Sequence, residues 1–294
     1  MKVGIYGQFY HRDSARYVQD LLDVLDRQQV TVIIEKNFLE LIHSNEDIDK
    51  AYPHFSTFEE LDKSYDLFFS IGGDGTMLKT VTYVRDLDIP IVGINTGRLG
   101  FLATIKKEAI EHSVLQILAG NYRLSERSLI EVRTDNNQEI FGDLNFALNE
   151  IAVSRKNTTS MISVATELNG EALTNYWADG LIIATPTGST GYSLSCGGPV
   201  ITPGTSSFVI TPIAPHNLNA RPLVISDQTE ITLRVSGREE QHLISLDSRI
   251  ATLTNETVIR IRKANFSVRL IVLEDDSFLS TLRKKLLWGE DRRN

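Results

Sequence analysis

The sequence predicts two domains: an α/β N-terminal domain with a Rossmann-like parallel sheet, and a β-rich C-terminal domain. The first observation is that short β-branched or aromatic runs alternate with longer stretches of helical period up to about residue 120. The second is a change after Gly120 to many short strands separated by turn residues. The third is the length of 294 residues, which exceeds the usual size of a single domain.

The N-terminal elements follow a β-α-β rhythm, which is typical of a parallel sheet covered on both faces. The predicted strands are residues 3–6, 30–35, 66–71 and 89–94, and the predicted helices are residues 15–26, 76–83 and 107–118. We place this domain at residues 1–120. A capped amphipathic segment at residues 277–288 predicts a closing helix, so we expect residues 275–294 to complete the domain.

The C-terminal domain, residues 121–274, is predicted from short strands and turn residues. The strands are residues 129–133, 146–153, 163–168, 181–184, 208–211, 231–235, 258–261 and 267–273. Asn169-Gly170 predicts a hairpin, because both residues tolerate the positive φ of a type I′ turn. No Ser/Gly linker separates the two domains, so we expect a ligand site in a cleft between them.

Composition narrows the classes of function. Apolar residues make up 41% and charged residues 23%, as in ordinary globular proteins, and no apolar run reaches the length that crosses a bilayer. A net charge of −8 argues against a nucleic-acid partner, because phosphate-backbone binding needs a basic face. The N-terminus does not resemble a signal peptide, and the single cysteine, Cys196, excludes an internal disulfide. We therefore expect a cytoplasmic protein with no membrane partner.

The sharpest motif is a glycine-rich turn, where a buried strand is predicted to end and a helix to begin: Gly72-Gly73-Asp74-Gly75-Thr76. Glycines let the backbone approach a ligand closely, and the N-terminus of the helix offers unpaired N–H groups to phosphate. Asp74 then stands at the carboxyl end of a strand, where open α/β sheets bind ligands. The alternative is an ordinary turn with Asp74 as the N-cap of the helix.

A second turn follows the next strand and lies beside the first turn in a parallel sheet. It reads Asn95-Thr96-Gly97-Arg98-Leu99-Gly100-Phe101-Leu102. Taken alone it favours a structural turn, although Arg98 could equally reach a phosphate.

The densest motif covers residues 177–199, in which an apolar strand stands between Asp179 and a loop rich in hydroxyl groups. Such a loop supplies small donors and acceptors without net charge, which suits the base edges and ribose hydroxyls of a nucleotide. Composition alone favours a surface loop with Ser and Thr turns. Two weaker features are the pair Asn149-Glu150, at a predicted strand, and the rigid loop at residues 212–218. The histidines show no metal-ligand spacing.

Taken together and in this order, the GGDGT turn, the NTGxLGFL turn, the Asn-Glu pair and the DGLIxATPTGSTxY block closely resemble the NAD kinase family. The match spans residues 66–249. The GGDG turn by itself would also suit diacylglycerol, sphingosine and phosphofructokinase-like kinases, and the later motifs make the choice. The resemblance implies an enzyme that uses ATP, or another phosphoryl donor, to phosphorylate the 2′-hydroxyl of the adenosine ribose of NAD, giving NADP.

The resemblance also assigns roles to residues of this chain. Asp74 is implied as the catalytic proton acceptor, and residues 121–274 as the NAD-binding domain. The implied NAD-binding residues are Asp74, Gly75, Asn149, Glu150, Trp177, Asp179, Thr190, Gly191, Tyr192, Ser193, Leu194, Ser195, Ala214 and Arg249. Gly72, Gly73 and Arg98 are candidates for contacts with phosphate. A divalent ion, Mg²⁺, would bridge the donor phosphates through ligands that we do not assign, and a homodimer or homotetramer is implied.

Two positions depart from the family pattern. Trp177 stands where many members carry Arg or Lys, and Arg249 stands where many carry Gln. Two rival functions also remain. A lipid or sugar kinase would explain the GGDG turn but not the later motifs, and a dinucleotide sensor would bind NAD or NADP without turnover.

Overall fold

A computed structural model describes residues 1–8, 12–45, 50–97, 99–135, 140–157, 160–274 and 276–288. The chain forms two compact units, one of Met1–Glu126 with Val268–Asn294 and the other of Arg127–Ser267. The division falls inside two long strands, Tyr122–Thr134 and Val258–Leu273. The boundaries predicted from the sequence, after residues 120 and 274, lie close to the ends of these strands, because pattern reading divides a chain where elements begin and end.

The elements follow one another along the chain in two series. The first series is β1 (Lys2–Gly7), α1 (Arg12–Arg27), β2 (Thr31–Glu35), α2 (Lys36–Asn45), β3 (His54–Phe55), β4 (Leu67–Gly72), α3 (Asp74–Val84), β5 (Ile91–Asn95), β6 (Ile105–Lys106) and α4 (Ile110–Leu118). The second series is β7 (Tyr122–Thr134), β8 (Phe146–Ala147), β9 (Glu150–Arg155), β10 (Ile162–Leu168), β11 (Glu171–Ala178), β12 (Gly180–Ala184), α5 (Tyr192–Ser195), β13 (Ser207–Ile213), β14 (Leu223–Ser226), β15 (Ile231–Gly237), β16 (Gln241–Leu246), β17 (Arg249–Thr254), β18 (Val258–Leu273) and α6 (Phe278–Leu286).

The first unit is built on a parallel sheet in the order β5-β4-β1-β2-β3, with β6 beside β5. Strand β4 shows why the sheet is covered on both faces. Phe69 lies in the core formed with α1, α2 and α4, while the ring of Phe68 points the other way, 5.7 Å from the ring of Phe55. A continuous apolar run is typical of such a strand. The predicted α/β domain is confirmed.

The second unit consists mainly of two antiparallel sheets. One has the order β14-β13-β12-β9-β16-β17, and the other contains β11-β10-β15-β18. Their inner faces share one core, with Ile183 and Phe208 from the first sheet and Val164 and Ile259 from the second. The predicted β-rich character is confirmed. At the predicted hairpin, Asn169 has φ +52° and Gly170 has φ +81°, as a type I′ turn requires.

The prediction of two separate strands at residues 258–261 and 267–273 is wrong, because both belong to the continuous strand β18. Its middle contains Arg262 and Lys263, which look like a polar interruption in the sequence. Each cation instead meets a buried carboxylate: Arg262 Nε lies 2.5 Å from Glu131, and Lys263 Nζ lies 2.6 Å from Asp227. Paired in this way, both residues remain in the strand.

The opposite error occurs at residues 146–153, where one predicted strand is two, β8 and β9. The N–H groups between them bond to a carboxylate instead of a neighbouring strand, as described below. The elements that the pattern also did not predict are α2, α5, β3, β6, β11, β14, β16 and β17. The predicted closing helix is α6, whose N-cap Ser277 accepts a hydrogen bond from the Ser280 N–H at 3.1 Å. No helix in the described ranges combines the length and the apolar character needed to cross a bilayer.

Candidate functional site

The glycine-rich turn joins β4 to α3 in the first unit, as the sequence predicts. Strand β4 ends at Gly72, and α3 begins at Asp74. The N-cap position belongs to Gly73, whose carbonyl accepts hydrogen bonds from Thr76 at 3.0 Å and Met77 at 3.2 Å. The alternative in which Asp74 serves as the N-cap is therefore wrong, and the Asp74 side chain is used elsewhere.

The Asp74 carboxylate accepts three consecutive main-chain N–H groups from the second turn. Phe101 donates to Oδ2 at 2.7 Å, and Leu102 and Ala103 donate to Oδ1 at 3.0 and 3.1 Å. A Cβ atom at Gly100 would lie 1.8 Å from Asp74 Oδ1, so only glycine allows this approach. An ionised carboxylate has about four acceptor positions, so one remains for a further donor.

The NTG turn lies beside the GGDGT turn, as predicted for a parallel sheet. Gly72 of β4 pairs with Asn95 of β5, and the Thr96 N–H donates to the Gly72 carbonyl at 3.3 Å. The Asn95 side chain accepts a hydrogen bond from the Gly97 N–H at 2.8 Å, which closes the turn. The structural role expected of this turn is thus to carry the N–H groups that hold Asp74. Arg98, the predicted phosphate contact, lies outside the described residues.

In the second unit, Asn149 and Glu150 are held by a carboxylate that the sequence analysis did not select. Asp247, in the turn between β16 and β17, accepts N–H groups from Leu148 at 3.0 Å, Asn149 at 2.8 Å and Glu150 at 3.2 Å. Its side chain is 5% exposed. Burial raises the pKa of Asp247, and the N–H donors oppose that rise.

The Glu150 carboxyl group is buried and only partly satisfied. The residue is 9% exposed, and its Oε2 atom has no hydrogen-bond partner among the described residues. Burial, and then the charge of Asp247, raise the pKa of Glu150 to about 8, while a hydrogen bond from the Tyr192 main chain opposes the rise. Below that pH the group is neutral and can donate a hydrogen bond as well as accept one.

The TPTGST block packs directly on the Asn149-Glu150 pair. The Thr185 hydroxyl donates to the Leu148 carbonyl at 2.6 Å, and the Thr185 N–H donates to the Asn149 carbonyl at 2.9 Å. A Cβ atom at Gly188 would lie 2.0 Å from that same Asn149 oxygen. Because Thr185 and Ser189 are fully buried, the alternative of a surface loop is wrong for this part of the block.

The segment that follows, Thr190 to Ser195, is partly buried, with Ser193 fully buried between more exposed residues. The Thr190 hydroxyl donates to the Thr187 carbonyl at 3.0 Å, and Ser193 Oγ lies 2.8 Å from Thr211 Oγ1. Gly191 lies next to the pair, since its Cβ position is 3.2 Å from Glu150 Oε2. The remaining predicted residues are Tyr192 and Ser195, which are exposed, and Leu194, which is half-buried.

Trp177 and Asp179 belong to a cavity of about 820 Å³ in the second unit. Its lining includes Arg155, Met161, Trp177, Asp179, His216 and Arg238. The Asp179 carboxylate lies 2.9 Å from the Arg155 guanidinium, and Trp177 is 59% exposed.

The loop at residues 212–218 borders this cavity through main-chain bonds. The Trp177 N–H donates to Asn217 Oδ1 at 2.8 Å, and the His216 N–H donates to the Trp177 carbonyl at 2.7 Å. Ala214 has φ +44°, a region that residues with a side chain rarely adopt and that often marks a functional loop.

Arg249 uses its guanidinium group on the main chain. It donates to the carbonyls of Leu144 and Phe146 and lies over the Phe146 ring, 5.6 Å from the centroid. The predicted contact of Arg249 with NAD therefore has to use guanidinium N–H groups that do not bond to these two carbonyls.

No group of three or more His, Cys, Asp and Glu side chains in the described part of the chain is arranged to hold a metal ion. Cys196 is half-buried, and burial raises the pKa of its thiol.

Four residues that position these groups were not predicted from the sequence. Gly100 and Gly188 make room for Asp74 and for Asn149, while Asp247 and Asn217 accept main-chain N–H groups. The two glycines and Asn217 stood inside motifs that had been selected, but their contacts could not be read from spacing. Asp247 carried a weak signal, because Asp followed by Ser between two short polar and apolar alternations is typical of a hairpin turn.

Both parts of the chain match known families. Residues 3–122 match the family model described as ATP-NAD kinase N-terminal domain, and residues 148–273 match ATP-NAD kinase C-terminal domain. The chain is 64% identical over 296 residues to a NAD kinase of Christiangramia forsetii, with 100% of both chains covered. It is 53% identical over 294 residues to a NAD kinase of Flavobacterium psychrophilum, again with 100% of both covered.

Solved structures agree with these relatives. The fold is similar to that of yeast NADH kinase complexed with NADH, with a TM-score of 0.86 and 20% identity, over 100% of this chain and 89% of the other. An Archaeoglobus fulgidus NAD kinase in complex with ATP gives a TM-score of 0.74 and 25% identity, over 98% and 99% of the two chains. Two family models and full-length relatives lead to one conclusion: the chain belongs to the NAD kinase family.

Proposed function

We propose that this enzyme transfers the terminal phosphoryl group of ATP to the 2′-hydroxyl of the adenosine ribose of NAD, giving NADP and ADP, and that Asp74 accepts the hydroxyl proton. The observation that carries the proposal is the Asp74 carboxylate, which three main-chain N–H groups hold at the start of α3. A carboxylate fixed in this way can orient a hydroxyl group without first having to be ordered itself.

The chemistry suits a residue of this kind. Phosphoryl transfer passes through a loose transition state, so catalysis depends on positioning and charge neutralisation more than on a strong base. The attacking hydroxyl becomes acidic as its bond to phosphorus forms. Asp74 therefore orients the 2′-oxygen through its remaining acceptor position and takes the proton late in the step.

The glycines around Asp74 support a phosphate site. Among the residues that the structure describes, a Cβ atom at Gly73 or Gly75 would meet no atom within 4 Å, so packing against these residues does not require glycine at either position. Gly73 also has an ordinary negative φ of −106°. Small residues at both positions leave room for a ligand. Gly72, Gly73 and the first N–H groups of α3 would then face the donor phosphates, with Arg98 as a further candidate.

The NAD side of the site is proposed to lie on the second unit. Asn149 and Glu150 would bind the adenosine part, and their main chain is held on one side by Asp247 and on the other by Thr185. The segment Thr190 to Ser195, with Trp177, Asp179, Ala214 and Arg249, would complete the binding surface. The cavity of about 820 Å³ beside Trp177 falls within the range of ligand pockets.

Mg²⁺ is the divalent ion that we propose to accompany ATP. Magnesium is usually held by one or two carboxylates together with water and substrate phosphates, not by a cage of protein ligands. The described residues contain no such cage. When bound, the ion would spread the charge of the phosphate oxygens. We assign no residue of the chain as its ligand.

The test is an assay with purified protein, NAD, ATP and Mg²⁺, in which NADP is read through an NADP-specific dehydrogenase. We expect NADP to form, and to stop forming when a chelator removes the ion. Calorimetry with NAD alone separates the rival sensor function, since binding without turnover would favour a sensor. Inorganic polyphosphate in place of ATP tests the second class of donor.

Assembly and location remain proposals of the same kind. A homodimer or homotetramer is supported by exposed apolar side chains in the second unit, among them Trp177, Leu218 and Ile250. Analytical ultracentrifugation would give the mass in solution, and a sedimenting monomer would contradict the proposal. A cytoplasmic location stays a prediction from the sequence.

A further inference from the structure

The turn between β16 and β17 binds the main chain of the Asn149-Glu150 pair from both directions. The Asp247 carboxylate accepts the N–H groups of Leu148, Asn149 and Glu150, and the Asp247 N–H donates to the Glu150 carbonyl at 3.0 Å. Residues in the middle of an antiparallel sheet would send these groups to a neighbouring strand. Here the Asp247 side chain accepts these N–H groups instead of a neighbouring strand. The orientation of Asn149 and Glu150 therefore depends on Asp247.

Arg249 extends the same contact along the segment. Its guanidinium group donates to the carbonyls of Leu144 and Phe146 and lies 3.9 Å from the Asp247 carboxylate. One turn thus offers an acceptor to the N–H groups at one end of the segment and donors to the carbonyls at the other. We call Asp247 and Arg249 together the hairpin clamp.

The backbone conformation of Asp247 favours a specific role for the Asp247 side chain. Asp247 has φ +51°, in the left-handed region where glycine is the ordinary choice. Aspartate and asparagine tolerate this region better than other residues do, but a side chain there still has a cost. The contacts of the carboxylate give a reason for that cost.

We infer that Asp247 is a positioning residue for NAD, which holds Asn149 and Glu150 in the orientation that binds the adenosine part. The inference rests on the proposed function of that pair. Asp247 contacts the main chain of Leu148, Asn149 and Glu150 and the guanidinium group of Arg249, so its effect on NAD passes through these residues.

The negative charge of Asp247 gives the inference a readout that a purely structural role would not have. After burial, that charge is the second cause that raises the pKa of Glu150 to about 8. The other groups that face the pair are the Tyr192 main chain, which lowers the pKa of Glu150, and Arg249, which faces Asp247. Tyr192 in turn interacts with Cys196 and Asp179. Removal of the Asp247 charge should therefore lower the pKa of Glu150.

Two variants keep the turn while they change the carboxylate. Asp247→Asn preserves shape and tolerates the positive φ, and Asp247→Gly removes the side chain in a backbone region that suits glycine. The matched control is Asp227→Asn, because Asp227 is also a buried carboxylate in the second unit, 1% exposed, with Lys263 at 2.6 Å as its partner.

The experiment measures NAD affinity by calorimetry without ATP, together with the Michaelis constants for NAD and ATP across pH. Both Asp247 variants should weaken NAD binding by about tenfold or more, because hydrogen bonds to a charged group are lost. The constant for ATP should stay within about twofold. The pH dependence of NAD binding, which follows the ionisation of Glu150, should shift to lower pH in Asp247→Asn. It should not shift in Asp227→Asn.

Unchanged NAD affinity and pH profile in Asp247→Asn would overturn the inference, as would an equal shift in Asp227→Asn. Asn149→Ala separates this failure from that of the proposed function. If Asn149→Ala binds NAD normally, the adenosine site itself is wrong. If it binds weakly while the Asp247 variants bind normally, only the positioning role is wrong.

A measurement on the unmodified enzyme covers the case in which the variants do not fold. The amides of Leu148, Asn149 and Glu150 should exchange their hydrogens slowly, as groups bonded to a buried acceptor do. Exchange at the rate of exposed amides would contradict the clamp.

Discussion

Two aspartates of this enzyme make the same contact in different surroundings. Asp74 accepts the N–H groups of Phe101, Leu102 and Ala103, and Asp247 accepts those of Leu148, Asn149 and Glu150. Asp74 stands at the start of a helix and is half-buried, whereas the Asp247 side chain is 5% exposed in a hairpin turn. Three donors fix a carboxylate in both places.

The difference lies in what each carboxylate can still reach. Asp74 is open enough to meet a substrate hydroxyl with its last acceptor position, next to glycines that leave room for phosphate. Asp247 is enclosed, with Arg249 beside it, and acts through the main chain and the guanidinium group that it contacts. The same local chemistry therefore supports a reacting group in one unit and a positioning group in the other, and exposure decides between them.

The largest effect is expected when Asp74, the aspartate proposed to react, loses its carboxylate. Asp74→Asn should keep NAD binding but lower turnover by about 10²-fold or more, as expected for loss of a general base. The coupled assay gives the turnover and calorimetry gives the affinity for NAD. Asp86→Asn, which changes an exposed aspartate just beyond α3, is the control and should behave as the parent enzyme. Full turnover in Asp74→Asn would refute the catalytic role.

The next prediction tests whether the position of the Asp74 carboxylate matters, by displacing it through a substitution at a neighbouring residue. In Gly100→Ala, the new methyl group would lie 1.8 Å from Asp74 Oδ1, so the carboxylate must leave its three donors. We expect turnover to fall by about tenfold or more, because a misplaced group loses most of its advantage. Gly97→Ala in the same turn is the control, since the nearest contact of its methyl group among the described residues would be Asn95 Oδ1 at 4.0 Å. Equal turnover in the two variants would mean that the position of Asp74 is unimportant.

The corresponding change in the second unit is Gly188→Ala, which would place a methyl group 2.0 Å from the Asn149 carbonyl oxygen. Displacement of Asn149 should raise the Michaelis constant for NAD several-fold, with a smaller change in turnover, because binding is affected more than chemistry. Steady-state kinetics with NAD varied at saturating ATP would measure both. A fall in turnover alone would place Asn149 in the chemical step instead.

The smallest expected effect is on the pH dependence of the stability of the enzyme, through Glu150, which lies beside Asp247. Glu150 has its pKa raised from 4.5 to about 8 in the folded enzyme. Its contribution to the free energy of unfolding is therefore complete below about pH 4.5 and is lost as the pH rises through about 8. Glu150→Gln should melt on the order of a few degrees higher than the parent at about pH 9, and the gap should narrow towards about pH 5. A gap that is independent of pH would show that Glu150 ionises normally.

Much of the fold could be predicted because its signals are local. Strand β4 and helix α3 differ in hydrophobic period, and the glycines between them mark a turn that places Asp74 at the end of a strand. The Asn169-Gly170 hairpin was predicted for the same reason, since two adjacent residues determine the turn. Family resemblance then supplied the roles of residues whose types alone were ambiguous.

What could not be predicted depends on partners far apart in the chain. Asp247 is 97 residues from Glu150, and Asp74 is 27 residues from Phe101, so no periodic pattern connects these groups. The same holds for Arg262 and Lys263, which stay in β18 because Glu131 and Asp227 neutralise them. A sequence pattern shows which residues can be buried, but not which distant group will satisfy them.

The long strand β18 has a consequence for synthesis on the ribosome. The first unit consists of residues 1–126 and a later segment from Val268 onwards, which places Leu270 beside β5 and Ile271 in the core. Domains usually fold in the order in which they emerge. Here the N-terminal part must wait, with a gap in its core, until all of residues 127–267 have been translated. We therefore expect the second unit, which is continuous in the chain, to be the first that can be completed in a nascent polypeptide.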